Sequence, residues 1–184
     1  MMMVGDVERF DRRAAGYERE WLQERFHVPV RRATLDVAAA MQPDPRAVLD
    51  IGCGTGALLR LIPEVFPGAR RAGIDPSPAM ILEADGAGAE MVQACAEWIP
   101  FPDRTFDLVL STLSLHHWIV RDQAMREIAR VLTFGGVLVL ADRFLPHRTE
   151  RLAEDAGLVV ADVAPVFSVG PLPVVSALAA RRIG

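Results

Sequence analysis

Val48-Leu49-Asp50-Ile51-Gly52-Cys53-Gly54-Thr55-Gly56 is an apolar run that ends in an acid and opens into three glycines at alternate positions. The amphipathic stretch Ala57 to Val65 follows it. This pattern predicts a strand, a tight turn and the start of a helix. Glycines there let the backbone bend sharply and approach a ligand that any Cβ would hold away. The helix beyond presents unpaired N–H groups at its N-terminus. The segment therefore predicts a nucleotide-type binding turn in an α/β fold.

Two readings of the turn stand side by side. Gly52 to Ala57 fits G-x-G-x-x-A, the dinucleotide fingerprint, and Asp75 lies where its ribose-binding acid belongs. With Asp50 included, the same residues fit D-x-G-x-G-x-G. Asp50 discriminates, because a carboxylate beside the turn repels a pyrophosphate and attracts an α-ammonium group.

The acid-led form resembles motif I of the class I S-adenosylmethionine-dependent methyltransferases. Further matches follow in order. Gly73-Ile74-Asp75-Pro76-Ser77-Pro78-Ala79-Met80 is similar to motif II, a strand end carrying an acid, with Ser77 as N-cap and Pro78 at the first helical position. Ala96-Glu97-Trp98-Ile99-Pro100-Phe101, continuing to Phe106-Asp107-Leu108-Val109, resembles the family's A-E-x-L-P-F…F-D-x-V segment. Leu113-Ser114-Leu115-His116-His117 resembles its L-x-L-H-H, and Glu127 to Gly136 its E-x-x-R-V-L-K-P-G-G turn. Thr133 and Phe134 replace the usual Lys-Pro, and Cys95 stands where an Asp commonly meets the adenine amino group. The matches span residues 48 to 142 and point to the small-molecule, type 11-like branch.

Apolar, β-rich runs occur at Ala47–Ile51, Arg71–Asp75, Glu90–Cys95, Phe106–Ser111, Gly136–Asp142, Leu158–Val163 and Val174–Ala180, with helical patterns in most gaps. That alternation predicts a doubly wound sheet covered on both faces. The resemblance implies a Rossmann-like sheet of seven strands in order 3-2-1-4-5-7-6, the last antiparallel. Two helices, about Asp6–Arg25 and Val30–Met41, are expected before it, broken at Pro29. One domain is expected, with residues 1–45 as a helical cap and 46–184 as the cofactor-binding sheet.

Composition excludes several classes. The 184 residues carry a net charge of −4 with no basic run longer than a pair, which argues against nucleic-acid binding. No stretch approaches 18 uncharged apolar residues, so no membrane span is expected, and the charged start is unlike a signal peptide. The two cysteines are too few for a zinc site. A cytoplasmic, bacterial, metal-free protein is the expectation. The chain has no lysine and no asparagine, hence no Schiff-base or P-loop lysine and no N-P-P-Y motif for amide or exocyclic nitrogens.

The site residues follow from the motifs. S-adenosyl-L-methionine is the implied cofactor. Gly52, Cys53, Gly54, Thr55 and Gly56 form its cradle, Asp50 receives the methionyl ammonium, and Asp75 accepts the ribose hydroxyls. Pro76, Ser77 and Met80 follow on motif II, with Met80 and Pro76 walling the adenine. Cys95, Ala96 and Glu97 lie at the adenine edge, where Glu97 or a backbone carbonyl can substitute for the missing acid. Ser111 is expected near the sulfur, and Tyr17, the one tyrosine, at the methionyl end. The reading preferred for the helix bearing Tyr17 is an apolar stripe of Phe10, Tyr17, Trp21 and Phe26 packed on the sheet edge, with the cofactor contact as the alternative.

Methyl transfer is an in-line displacement that needs alignment, and a base only where the nucleophile arrives protonated. His116, His117 and Asp142 are the catalytic candidates, His116 ahead of His117, with Arg143 and His147 on the same rim. The expected acceptor is a small molecule offering O, N or C. With a short loop after the fifth strand, either a second subunit completes the pocket in a homodimer or the pocket stays open to a larger, protein-carried substrate. Two alternatives remain: a non-catalytic subunit or regulator that binds the cofactor, and a nicotinamide-dependent oxidoreductase.

Overall fold

The structure, a computed structural model, describes residues 4–19, 23–84, 86–143 and 147–184. Seven strands form one sheet in the order β3-β2-β1-β4-β5-β7-β6. They are β1 (Ala47–Ile51), β2 (Arg70–Asp75), β3 (Glu90–Gln93), β4 (Phe106–Thr112), β5 (Leu132–Arg143), β6 (Leu158–Val169) and β7 (Leu172–Arg182). The first five pair in parallel, and β7 runs antiparallel to both neighbours. The expected order and the odd strand are both present.

Side chains alternate across each strand, so the central strands feed two separate cores. Leu49, Ile51, Val109, Leu138 and Leu140 face α5 (Arg121–Val131), which contributes Met125 and Ile128. Val48, Leu108, Leu110, Val137 and Val139 face α2 (Val28–Met41) and α3 (Ala57–Val65), with Leu35, Ala38, Leu59 and Ile62. Both faces are covered, which is why these strands read as continuous apolar runs. Asp50 shares the parity of Val48 and so points toward α2. Its neighbours across the sheet are Gly73 and Leu110. A Cβ on Gly73 would lie 2.7 Å from Leu59 Cδ1 and 2.9 Å from Cys53 Sγ, so the turn packs directly on that glycine.

Several boundaries differ from the sequence reading. The expected long first helix is divided into α1 (Val4–Arg13), a 3-10 turn (Ala14–Arg19) and a π turn (Gln23–His27). Pro29 does not break the chain. It sits in the first turn of α2, where its missing N–H has no carbonyl to serve. β6 and β7 extend well past their expected ends as a long hairpin, because antiparallel neighbours joined by a tight turn can pair beyond the body of the sheet. β3 stops at Gln93, where the Ala94 amide turns to the Asp75 carbonyl at 3.1 Å. α4 (Pro78–Glu83) and α6 (His147–Asp155) complete the covering layers. No helix among the described residues is long and apolar enough to cross a membrane.

Candidate functional site: a cleft at the carboxyl ends of the strands

The glycine turn is built from both of its flanks. The Gly52 and Cys53 amides donate to the Ile74 carbonyl at 2.8 and 3.0 Å, which ties the turn to β2. Gly52 has φ +72°, and a Cβ there would fall 2.1 Å from Ser114 Oγ. Glycine is thus demanded twice, by the left-handed backbone and by the neighbouring side chain. Gly56, also at positive φ, caps α3 and turns the chain into it.

Beside this turn lies a cleft of about 910 Å³, part of it open to solvent. Asp50, Gly52, Cys53, Gly54 and Thr55 line its floor; Asp75, Pro76 and Met80 line one side, and Cys95, Ala96 and Glu97 the edge. Phe10, Tyr17, His27 and Arg31 close it from the N-terminal helices, and Thr112, Leu113, Ser114, His117 and Trp118 from the end of β4. The open-sheet rule places ligands at this rim.

Asp50 is the electrostatic centre of the cleft. It is 1% exposed, and its Oδ1 has no hydrogen-bond partner among the described residues. Burial drives its pKa up from 3.8 to about 7, with Arg31 pulling the other way and the Asp75 carboxylate adding to the rise. A buried carboxylate with an open oxygen calls for a cationic donor.

Asp75 is braced by the turn it faces. Its Oδ2 accepts from the Gly54 amide and its Oδ1 from the Ser77 amide, both at 2.9 Å. Each oxygen keeps a further lone pair, so two hydroxyls can still be accepted. Burial raises its pKa, and the two amides hold it down.

The N-terminal cap is clasped to this side. Asp11 on α1 accepts from the Ser77 hydroxyl at 2.5 Å and from the Ala79 amide at 3.3 Å, while Ser77 Oγ accepts from Met80 N at 3.1 Å. Tyr17 stacks edge-on to Phe10 and His27, with Arg13 over its ring. Phe10 and Tyr17 of the aromatic stripe thus line the cleft, whereas Phe26 packs edge-on against Phe167; Trp21 lies outside the described residues.

On the opposite rim, His116 and Asp142 form a dyad. His116 Nδ1 lies 2.9 Å from Asp142 Oδ1, and the 1%-exposed Asp142 also accepts from the amides of His116 and Arg143 at 3.2 and 2.6 Å. His117 instead faces the cleft, its ring edge-on to Phe10 with centroids 5.2 Å apart.

The family model described as "Methyltransferase domain" matches residues 49–140, half of the chain. The chain belongs to the class I S-adenosylmethionine-dependent methyltransferases. The demethylmenaquinone methyltransferase of Thermus thermophilus is 34% identical over 118 residues, covering 61% of this chain and 53% of that protein. The ubiquinone/menaquinone biosynthesis C-methyltransferase of Hahella chejuensis is 29% identical over 183 residues, covering 94% and 69%. The chain spans about half the length of most curated relatives it matches. Among solved structures, the complex of the Haloferax volcanii Trm112 methyltransferase activator with a methyltransferase aligns at a TM-score of 0.80 and 21% identity, covering 95% of this chain and 98% of that one. Such a likeness shows the fold.

S-adenosylmethionine is the cofactor of this methyltransferase family. The residues present fit it. The open oxygen of Asp50 suits its ammonium, the spare lone pairs of Asp75 suit a ribose diol, and the glycine turn leaves room where a Cβ would intrude.

Other expectations need correction. Ser111 does not reach the cleft; it is 1% exposed and its hydroxyl donates to the Ile51 carbonyl at 2.9 Å. Thr112 to Ser114 take its place, because the strand ends there and Leu113 adopts φ +56°. Ser77 and Gly56 shape the walls without lining them. Glu97 lines the cleft, but its Oε1 accepts from the Ile119 and Val120 amides at 2.8 and 3.1 Å. Burial opposes its ionisation, yet these amides and the Cys95 thiol outweigh it and hold the carboxyl below its ordinary value. It therefore ties down the loop before α5 and is a poor substitute for an adenine-binding acid. Of the two histidines, His117 rather than the favoured His116 lines this cleft; His116 and Asp142 stand outside it. The His147 side chain lies outside the described residues.

The Glu127–Arg130 motif is a brace. Arg130 grips Glu127 at 2.7 and 2.8 Å and the Ile99 and Phe101 carbonyls at 2.8 Å each, and Glu127 takes the Ile99 amide at 2.9 Å. It pins the loop whose first residues edge the cleft. Arg31, His27 and Asp11 escaped the sequence reading because they belong to no motif.

Proposed function

We propose that this chain is an enzyme that transfers a methyl group from S-adenosylmethionine to O, N or C of a small-molecule acceptor. The observation that carries the reading is the buried Asp50, its open oxygen in a cleft built on the glycine turn. The cofactor, when bound, supplies a methyl carbon on a cationic sulfur, open to in-line attack. Asp50 anchors the ammonium, Asp75 the ribose, and Pro76, Met80 and Ala96 the adenine, while Tyr17 and Phe10 exclude water from above. Residues 1–45 act as the cap of a single domain.

For an acceptor that arrives protonated, the candidate bases are His117 in the cleft and His116 on the rim beside it. The buried Asp142 carboxylate accepts from His116 Nδ1–H, which fixes the tautomer and leaves Nε2 as a proton acceptor. The relatives named for quinone methylation support a small acceptor.

Thermal unfolding with S-adenosylhomocysteine, S-adenosylmethionine or NADH tests the reading. At a hundred times its dissociation constant a ligand adds about 2.7 kcal/mol, which raises Tm by roughly 5–10 °C for a domain of this size. A shift with the sulfur ligands alone is expected, and a shift with NADH alone would overturn it.

A further inference from the structure

A second cleft opens between the start of α5 and the first turns of α6, lined by Trp118, Ile119, Arg121, Arg148, Thr149 and Leu152 among others. It holds about 730 Å³ of empty space, part of it open to solvent. Trp118 lines this cleft and the main one, so they share the indole as a wall. That indole is held in place by its Nε1–H, which donates to Ser114 Oγ at 2.9 Å.

The charges are unbalanced in one direction. Neither Arg121 nor Arg148 lies within ion-pair distance of an acid among the described residues. The acid in the lining, Asp122, is already engaged by Arg126 at 2.9 Å. Two guanidinium groups thus concentrate positive charge in a chain whose net charge is −4. Thr149 is 1% exposed and lines the cleft. Around these groups Ile119, Trp118 and Leu152 supply apolar surface, and Ile119 is 49% exposed.

We propose that this cleft binds the anionic end, carboxylate or phosphate ester, of a methyl acceptor whose apolar stem crosses Trp118 to the main cleft. Arg121 and Arg148 grip the anion, and Thr149 donates a hydrogen bond to it. The inference rests on the methyltransferase reading and names the acceptor class for that site: acids with an apolar body.

Calorimetric titration of the protein carrying S-adenosylhomocysteine with octyl phosphate, octanoate and octanol tests it. The two anions should bind saturably and octanol at least about tenfold more weakly. Arg121→Gln and Arg148→Gln should each weaken anion binding about tenfold, and Thr149→Val several-fold, with S-adenosylhomocysteine affinity held within about twofold. The tighter of the two anions identifies the headgroup. Octanol binding as tightly as the anions, or anion affinity unchanged in the double arginine variant, overturns the inference alone. Failure of the wild-type protein to bind S-adenosylhomocysteine overturns the methyltransferase reading, and the inference with it.

Discussion

Asp50→Asn should stabilise the ligand-free protein at pH 8 while removing most of its affinity for cofactor. The Asp50 carboxyl titrates at about 7 in the fold against 3.8 in water, chiefly because burial strips its hydration. A displacement of that size corresponds to about 4 kcal/mol. The folded protein keeps this proton where the unfolded chain has lost it, so stability falls as pH rises from about 4 to 7 and stays low above. Asparagine has the same shape and cannot ionise. The variant should therefore gain about 1.7 kcal/mol at pH 5 and on the order of 4 kcal/mol at pH 8, the latter a rise in Tm on the order of 10 °C. Cofactor binding should move the other way. The ammonium meets an ionised partner only above pH 7, so wild-type affinity should rise through that pH. The variant should bind at least about tenfold more weakly at pH 8, with the pH dependence flattened. Scanning calorimetry from pH 5 to 8.5, with and without S-adenosylhomocysteine, reads both effects. A variant less stable than wild type at pH 8, or one stabilised as strongly by the ligand, refutes the reasoning. Arg31 and Asp75 are the charges facing Asp50, and both already enter the value of 7.

Three further outcomes follow from the same site. Asp75→Ala should weaken S-adenosylhomocysteine binding at least about tenfold and, by freeing the Gly54 and Ser77 amides, lower stability by about 2 kcal/mol; unchanged affinity removes the ribose role. Gly52→Ala should cost about 2–4 kcal/mol, since it meets Ser114 Oγ at 2.1 Å and strains a left-handed backbone. Denaturant titration should show Ser114→Gly restoring only the steric part, and full restoration would refute the backbone argument. For the dyad, nitrogen NMR at pH 8 should find His116 as the Nδ1–H tautomer, with that preference lost in Asp142→Asn; an Nε2–H tautomer in the wild type would remove Asp142 from its positioning role.

Much of the lining of the candidate site was legible because local geometry makes it. A strand end, three glycines and a helix start must be contiguous to turn a backbone around a ligand. Asp50, Asp75 and the glycines therefore sit at fixed offsets within two short segments. The strand order was legible only through the family resemblance; alternation of strands and helices alone permits other orders. Ser111 failed for a simple reason. Strand parity decides which side of the sheet a side chain meets, and a one-residue difference in where β4 ends separates Ser111 from Thr112.

The sequence by itself determined the α/β alternation and the two short segments that carry the glycine turn with Asp50 and the strand end with Asp75, because neighbouring residues carry each segment; that Arg130 braces the Ile99 and Phe101 carbonyls about 30 positions away was decided by the fold. Tertiary structure alone decided that Arg31 of α2 stands near Asp50 and that Asp11 clasps Ser77 across 66 positions. It also decided that His117 faces the main cleft while His116 pairs with Asp142, 26 positions away. Such partners are brought together by the packing of helices on a twisted sheet, and no spacing in the chain encodes which side chains then meet.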